Sequence, residues 1–367
     1  MHSTAKEQER AILVGIYSDR DAIDINASLD ELTELAHTAG ISVLARLTQS
    51  RPAPNPSTYI GKGKLDELAE LVDLHDPTII IFNDALSPAQ MRNLAGRLVP
   101  VIIDRTLLIL DIFANRAQTA EGKLQVELAQ LRHRASHLGG MGKLLSRLGG
   151  GIGTRGPGET KLETDRRHIR EKINNLNNDL KKIRQNRDIQ RRRREKDGIF
   201  TASLVGYTNA GKSTILNLLS HESVLAEDKL FATLDTTTRK IHLPNDIPAL
   251  LTDTVGFIEK LPHHLIQAFR ATLEELNYAD CLLHVIDASS PIVEQQMQIV
   301  YATLRDIFEL DKPIITIFNK MDKENIERPL PQDPCADIVV EMSAKTGAGR
   351  DELMAAIADF AIKSKLK

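Results

Sequence analysis

Residues 206–213 have the types and the spacing that bind phosphate groups. They read Gly-Tyr-Thr-Asn-Ala-Gly-Lys-Ser, which matches the pattern G-x-x-x-x-G-K-[ST], and they follow an apolar strand-like segment. Glycine allows the tight turn that points backbone N–H groups at phosphate oxygens at the start of a helix. In such a loop the lysine neutralises the β- and γ-phosphates, and the serine hydroxyl coordinates Mg²⁺. The pattern predicts a phosphate site formed by Gly206, Tyr207, Thr208, Asn209, Ala210, Gly211, Lys212 and Ser213.

An acid and a glycine about forty residues further on extend this site. Residues 250–252 read as an apolar strand, Asp253 ends it, and Gly256 follows three residues later. An acid at this place holds Mg²⁺ through water, and the N–H of the glycine contacts the γ-phosphate. The motif is weak alone and strong beside the phosphate loop. It assigns Asp253, Thr254, Val255 and Gly256 to the nucleotide site.

Residues 319–322, Asn-Lys-Met-Asp, select the base. They follow an apolar strand over 313–318, and the Asp322 carboxylate can accept hydrogen bonds from the ring N–H and the exocyclic amine of guanine. Adenine has neither donor at those positions, so an unpaired carboxylate would disfavour it. Residues 343–345, Ser-Ala-Lys, would place a backbone N–H near the guanine carbonyl. The predicted nucleotides are GTP and GDP, held by Asn319, Lys320, Met321, Asp322, Ser343, Ala344 and Lys345.

The four motifs, in this order, resemble the translation-factor-like branch of P-loop GTPases. The resemblance implies that residues 231–235 form the first switch, in which Thr233 coordinates Mg²⁺ and closes over the γ-phosphate; a capping hydroxyl is the alternative. We assign no catalytic base, and Lys212, Thr233 and Gly256 are the groups expected to stabilise the transferred phosphate. The switch adds Phe231, Ala232, Thr233, Leu234 and Asp235 to the nucleotide site, and the expected metal ligands are Ser213, Thr233 and, through water, Asp253.

Two further positions bear on hydrolysis. Many small GTPases place a water-orienting glutamine directly after the D-x-x-G motif, whereas this chain has Phe257. A phenyl ring cannot orient or deprotonate water, so we predict slow intrinsic hydrolysis and a partner that supplies what is missing. Asn209 lies where some GTPases use an asparagine to bind K⁺ beside the phosphates; a turn-forming asparagine is an equal alternative.

Three segments must position these residues. Strand-like stretches at 11–17, 41–47, 78–82 and 101–104 alternate with helical spacing at 29–39, 64–75 and 88–98. A second alternation starts at 199, with strands at 200–205, 250–252, 281–286, 313–318 and 337–341 and helices at 213–219 and 350–362. We therefore predict an α/β protein with an N-terminal parallel α/β domain over 1–115, an antiparallel helical hairpin with a glycine-rich tip over 116–198, and a C-terminal P-loop GTPase domain over 199–367.

The hairpin is predicted from two heptad-patterned stretches joined by one loop. Apolar residues follow 4-3-4-3 spacing over 124–138 and again over 162–183, so each helix would cover the apolar seam of the other. Residues 161–197 hold 14 Lys/Arg against 7 Asp/Glu, and residues 139–158 hold 9 of the 21 glycines. A glycine-dense loop with cations and no acid can follow a phosphate backbone closely. The predicted RNA-binding residues are Lys143, Arg147 and Arg155.

The composition narrows the class of protein. With 42% hydrophobic residues the 367-residue chain is neither disordered nor fibrous, and no apolar run reaches the roughly 20 residues of a membrane helix. The polar first ten residues lack the apolar core of a secretory signal. Cys281 and Cys335 have no paired spacing for zinc or a disulfide framework. We expect a cytoplasmic protein without a membrane partner.

One longer stretch makes the resemblance specific. Residues 147–167, Arg-Leu-Gly-Gly-Gly-Ile-Gly-Thr-Arg-Gly-Pro-Gly-Glu-Thr-Lys-Leu-Glu-Thr-Asp-Arg-Arg, together with the loop at 206–213, resemble the HflX family of ribosome-associated GTPases. Residues 104–117 and 121–127 fit the same family. The resemblance implies binding to the large ribosomal subunit, with the hairpin reaching ribosomal RNA. It also implies nucleotide-dependent splitting of stalled or idle ribosomes, particularly after stress.

The rival hypothesis is a signalling GTPase that acts through a coiled-coil protein partner. Heptad spacing alone favours this rival, whereas the basic helix and the glycine loop favour RNA. An intramolecular hairpin and an intermolecular coil share one sequence pattern, so the oligomeric state stays open, and we favour a monomer.

Overall fold

A computed structural model describes residues 8–18, 24–138, 157–196, 198–220, 229–262, 265, 274–307 and 311–365. The side chains at 138, 157–162, 186–196 and 365 lie outside the described part. By compactness the chain divides into one unit of Met1–Asn115 with Leu124–Leu180 and a second of Arg116–Lys123 with Lys181–Lys367. The predicted three-domain division stays a prediction.

The first unit contains a four-stranded parallel sheet in the order β2-β1-β3-β4. The strands are rich in Ile and Val, as expected for parallel strands that are covered on both faces. Helix α3 has the capping box that its sequence predicts, since Ser87 Oγ accepts from Gln90 N and Gln90 Oε1 accepts from Ser87 N. The elements are β1 (Arg10–Tyr17), α1 (Ile25–Thr38), β2 (Ser42–Ser50), α2 (Lys62–His75), β3 (Ile79–Phe82), α3 (Pro88–Ala95) and β4 (Val101–Asp104).

Three helices follow this sheet along the chain: α4 (Arg105–Arg116), α5 (Ala120–Leu138) and α6 (Pro157–Lys196). Helix α4 is absent from the sequence prediction, because its apolar run could equally read as a strand. The predicted seam between α5 and α6 is confirmed within one chain. Its members Leu128, Leu131 and Leu176 are buried together, with Leu124, Ile169, Ile173 and Leu180 packed against them.

The second unit contains a six-stranded sheet in the order β10-β9-β8-β5-β7-β6. The sequence predicts five of these strands, and the sixth, β6, is an antiparallel edge strand that the prediction misses. Helix α7 directly follows the phosphate loop. The elements are β5 (Phe200–Gly206), α7 (Lys212–Ser220), β6 (Thr237–Leu243), β7 (Ile247–Asp253), β8 (Cys281–Asp287), α8 (Val293–Ile307), β9 (Ile314–Asn319), β10 (Ile338–Glu341) and α9 (Arg350–Lys365).

The parallel strands of this sheet bring the sequence motifs to one edge. Strand β5 lies between β7 and β8, and β9 lies beside β8. The phosphate loop follows β5, Asp253 ends β7, and Asn319 ends β9. Ligands bind at the carboxyl ends of the strands in open α/β sheets, so this edge is the expected site.

Candidate nucleotide-binding site

The phosphate loop is shaped by two glycines that admit no side chain. Gly206 has φ +151°, and a Cβ there would lie 2.2 Å from Val285 O. Gly211 has φ +99°, and a Cβ there would lie 2.2 Å from Asn319 Nδ2. At both positions the φ angle is one that residues with a side chain rarely adopt, and neighbouring atoms leave no room for a Cβ. The spacing of glycines in the motif therefore follows from the local geometry.

Lys212 lies buried under the loop. Its Nζ donates to Gly206 O at 3.1 Å and to Tyr207 O at 2.8 Å. Burial lowers the pKa of Lys212 to about 8, and the Asp253 carboxylate opposes that shift. The amine therefore still carries its charge at pH 7, and an arriving phosphate would favour the charged form further. This is the expected placement of the residue that neutralises β- and γ-phosphates.

The three predicted metal ligands meet at one point. Ser213 Oγ donates to Asp253 Oδ2 at 2.6 Å, and Thr233 Oγ1 donates to the same oxygen at 3.0 Å. The two hydroxyls lie 2.7 Å apart. Burial raises the pKa of Asp253, while Lys212 and both hydroxyls oppose the shift. Among the described residues, the buried Asp253 Oδ1 has no hydrogen-bond partner. A buried carboxylate beside two hydroxyls is a set of hard oxygen donors that fits Mg²⁺.

The residues predicted to select the base are hydrogen-bonded to the phosphate loop. Asn319 Nδ2 donates to Ala210 O at 2.9 Å, and Ala344 N donates to Asn319 Oδ1 at 2.9 Å. Ser343 Oγ donates to Asp322 Oδ1 at 2.6 Å, and this hydrogen bond lowers the pKa of the exposed Asp322 carboxyl. The carboxylate is thus ionised and oriented, as recognition of two guanine donors requires. Around it, Lys320 pairs with Asp287 at 2.7 Å, Met321 N donates to Met342 O, and Lys345 is exposed.

The first switch is anchored at both ends. At its start, Phe231 N donates to Thr208 Oγ1 at 2.8 Å, and the Phe231 ring is buried. At its end, the Asp235 carboxylate accepts from Gln118 N at 2.9 Å, Thr119 N at 2.8 Å and Thr119 Oγ1 at 2.6 Å. These donors precede α5, so Asp235 binds the start of that helix and its side chain does not face the phosphate loop.

Thr119 and Gly122 were not found by sequence reasoning. Thr119 Oγ1 also accepts from Gly122 N at 2.9 Å, which is the bond that an N-cap threonine makes. A Cβ on Gly122 would lie 2.1 Å from Asp235 Oδ1, so this helical position must be glycine for the carboxylate to approach. The available signal was a threonine followed three residues later by a helical glycine, which carries no information on the acid 116 residues away.

The segment that follows Gly256 makes backbone contacts to the phosphate loop. Thr208 N donates to Phe257 O at 2.7 Å, and Phe257 N donates to Gly206 O at 3.1 Å. The Phe257 ring is 2% exposed, so it packs inward. Glu259 N donates to the Tyr207 hydroxyl oxygen at 2.8 Å, and the Glu259 side chain is buried. Among the described residues, Glu259 Oε1 accepts no hydrogen bond, and Lys260 Nζ lies 3.8 Å from it as an ion-pair partner. Sequence reasoning missed this acid, whose only signal is its place two residues after Phe257.

The remaining predicted residues fall into three groups. Asn209 is exposed with φ +60°, which fits a turn-forming residue; the K⁺ hypothesis stays a prediction. Thr254, Val255 and Leu234 are buried, and Thr254 Oγ1 donates to Leu204 O. Ala232 and Gly256 line the phosphate cavity with Thr208 and Lys212. Lys143, Arg147 and Arg155 lie outside the described residues.

Within the described residues, no helix has the length and apolar character of a membrane span.

Three family models match consecutive parts of the chain. Residues 26–114 match the N-terminal region of a GTP-binding GTPase, and residues 116–194 match the middle region of a GTP-binding GTPase. Residues 201–320 match a 50S ribosome-binding GTPase.

Similar proteins cover nearly the whole chain. The chain is 53% identical over 347 residues to the GTPase HflX of Lacrimispora saccharolytica, which covers 95% of this chain and 82% of that protein. It is 46% identical over 358 residues to the GTPase HflX of Escherichia coli K12, with coverage of 96% and 82%. The solved complex of SsGBP with GDP is 24% identical with a TM-score of 0.51, and it covers 97% of this chain and 99% of that one. This last likeness shows the fold.

Proposed function

This chain belongs to the HflX family of GTPases, and from that premise we propose that in its GTP-bound form it binds the large ribosomal subunit and splits stalled or idle ribosomes, particularly under stress. It is a GTP hydrolase whose G domain is of the ribosome-binding kind. The observation that carries the proposal is the contact of Asp235 in the first switch with the start of α5 at Thr119. That contact connects the nucleotide site to the hairpin that we expect to reach ribosomal RNA.

Hydrolysis breaks the bond between the γ-phosphorus and the oxygen that bridges it to the β-phosphate, and water supplies the new oxygen. Lys212 and the backbone N–H groups of the phosphate loop would hold the transferred group, and the Gly256 N–H would contact its γ-oxygens. Ser213, Thr233 and Asp253 would hold Mg²⁺, which when bound neutralises charge on the β- and γ-phosphate oxygens. Phe257 is packed inward and provides no group to orient the water, which supports slow hydrolysis by the protein alone.

The switch contact supports a nucleotide-dependent hairpin. Thr233 donates to Asp253 and is expected to close over the γ-phosphate. Asp235, two residues later, accepts hydrogen bonds from Gln118 and Thr119 before α5. One short segment, residues 233–235, therefore takes part both in closing the switch and in positioning the start of α5. Release of phosphate would loosen Thr233, and the energetic link would pass through Asp235 to the helix.

An RNA partner is favoured over a coiled-coil protein partner. The leucines of the heptad seam bury one another inside this chain, so the seam is already used. Exposed cations occur on the described part of α6, as phosphate contacts need. Those cations are Arg167, Arg170, Lys172, Lys181, Lys182 and Arg184.

Ribosome binding and splitting test the proposal directly. Sedimentation with ribosomes over a salt series, with a non-hydrolysable GTP analogue, GDP or no nucleotide, should give the strongest binding with the analogue. Light scattering should then report conversion of whole ribosomes to subunits with the analogue and not with GDP. Equal recovery in the supernatant under all three conditions at low salt would refute ribosome binding, and binding without subunit release would refute splitting.

A matched pair of threonine variants shows whether the switch is responsible. Thr233→Ala should abolish analogue-dependent splitting while leaving GDP affinity unchanged, because the hydroxyl serves the γ-phosphate side of the site. Thr303→Ala removes a hydroxyl that donates to Ile299 O within α8, and it should split ribosomes normally. If both variants behave alike, the first switch does not control splitting.

A further inference from the structure

A second cluster of ligand-type side chains lies in the first unit, outside the nucleotide site. It consists of Asp104 at the end of β4 and of His133 and His137 on α5. Their candidate ligand atoms all lie within 4.8 Å of one another, and His133 Nε2 lies 4.0 Å from Asp104 Oδ2. Residues four apart share one helix face, which brings the two imidazoles together. We propose that this cluster binds one divalent transition-metal ion, with Zn²⁺ as the best match.

The surroundings of His137 favour a cation. Its Nδ1 lies 2.8 Å from His133 O, and its Nε2 lies 3.3 Å from Leu86 O. The Ser136 hydroxyl also lies 3.2 Å from Nδ1. In the neutral tautomer with its N–H on Nδ1, His137 donates to His133 O and directs the Nε2 lone pair away from its own helix, where it can bind a metal ion. A metal ion beside Nε2 would bind this lone pair.

Asp104 is held as a metal-ligating carboxylate is held. It is fully buried, and its two oxygens accept from Leu86 N and Leu107 N, both at 2.9 Å. Each carboxylate oxygen has a second lone pair, so these bonds orient the group and leave it able to bind metal. A buried carboxylate is costly unless a positive charge is near, and a bound ion would supply one.

The donor set selects the class of metal. Two imidazole nitrogens and one carboxylate oxygen are typical of Zn²⁺ and its neighbours, whereas Mg²⁺ and Ca²⁺ prefer oxygen alone. Bonds of about 2.0–2.2 Å in a tetrahedron put ligand atoms roughly 3.3 Å apart. The observed 4.0 Å between His133 and Asp104 closes to this value with a small side-chain rotation.

A cavity of about 630 Å³ borders the cluster at His137 and would give the ion room for a further ligand. His137 lines it from α5, and Asp165 and His168 line it from α6. Arg92 and Arg134 line the same cavity, so an anion or a hydroxide would be a favourable fourth ligand.

Zinc binding to the full chain tests the proposal. The chelator-treated protein, with excess Mg²⁺ and GDP to occupy the nucleotide site, is titrated calorimetrically with Zn²⁺ alone, and Co²⁺ is used for a visible spectrum. We expect one equivalent, a tetrahedral Co²⁺ spectrum and an increase in melting temperature with Zn²⁺. His133→Gln and His137→Gln should each weaken binding at least tenfold and remove the increase.

Two control variants test whether Zn²⁺ binding needs His133 and His137 in particular or any histidine of the chain. His37→Gln changes an exposed histidine on α1, and His168→Gln changes a histidine across the cavity. Both should bind Zn²⁺ with the parent's stoichiometry. The proposal is overturned if the parent binds no stoichiometric metal, or if His133→Gln and His137→Gln bind as tightly as the parent. Circular dichroism of the metal-free variants checks folding, and loss of binding counts only from a folded variant.

Discussion

Gly122→Ala should uncouple the first switch from α5 while every residue predicted to bind the nucleotide keeps its identity. The added Cβ would lie 2.1 Å from Asp235 Oδ1, and real Cβ contacts do not fall below 3.0 Å. The flexible end of Asp235 would have to move by roughly 1 Å, since tolerated carbon–oxygen contacts lie beyond 3 Å. Its bonds to Gln118 N, Thr119 N and Thr119 Oγ1, now 2.6–2.9 Å long, would then be broken or strained.

The size of the effect follows from what Asp235 does at the helix start. A capping interaction contributes about 1 kcal/mol, and an acid near the helix N-terminus contributes about 0.3–1 kcal/mol more. Loss of about 1–2 kcal/mol corresponds to roughly 5- to 30-fold in an equilibrium constant. Alanine itself favours the helix by about 0.8–1 kcal/mol over glycine, so the overall stability should change little. The coupling between the first switch and α5 should therefore weaken, while α5 itself stays folded.

The assay is the ratio of affinities for a non-hydrolysable GTP analogue and for GDP, measured with a fluorescent nucleotide. Gly122→Ala should weaken analogue binding roughly 5- to 30-fold and leave GDP binding unchanged, because only the analogue needs the closed switch. Gly63→Ala is the matched control, since Gly63 lies in the first turn of α2 and a Cβ there meets nothing within 4 Å. An unchanged ratio in Gly122→Ala, or an equal loss for both nucleotides, would refute the coupling.

Three further outcomes follow from the structure. Asp322→Asn should weaken GTP and GDP binding tenfold or more, because hydrogen bonds to a charged acceptor are worth about 1.5–3 kcal/mol. Asp351→Asn, which changes another exposed acid, should not weaken binding. Equal nucleotide affinities of the two variants in a fluorescence titration would contradict this prediction. Burial raises the pKa of the Cys281 thiol to about 12, so a thiol reagent at pH 8 should label Cys335 first and Cys281 only on unfolding, as mass spectrometry can show. Replacing the two arginines at 147 and 155 by glutamine should lower the amount of protein that sediments with large subunits and reduce the salt dependence of this binding. The affinity for GTP should stay unchanged. A fall in GTP affinity would place that loop at the nucleotide site instead.

The sequence was enough to bring most residues of the candidate nucleotide site together, because the geometry that each motif needs is local. Residues 206–213 act through their own backbone turn, and Gly206 and Gly211 are glycines for reasons that a short segment contains. Asp253 and Asn319 each end an apolar parallel strand, and such strands share one sheet edge. The pattern of each motif is therefore enough to place its side chain.

The rest of the fold depends on contacts between distant residues. Strand β6 has charged residues at its centre and pairs only at the sheet edge, so its sequence has no apolar run to mark it. The contact of Asp235 with Thr119 joins residues 116 apart, and neither residue type is unusual for its own segment. Asp104, His133 and His137 likewise meet only because α5 returns past the end of β4. No local pattern encodes such meetings.

The anchored switch also bears on how a ribosomal partner would stimulate hydrolysis. Asp235 and Phe231 already fix both ends of the first switch, and Thr233 already reaches Asp253 and Ser213. The chain thus supplies the contacts that hold this switch closed around GTP, whereas Phe257 provides no group that orients water. A partner that supplies only this group would act on the transition state and would leave the affinity for GTP unchanged. Large subunits should accordingly raise kcat with little change in KM for GTP, and steady-state kinetics that show a fall in KM alone would mean that the partner orders the switch instead.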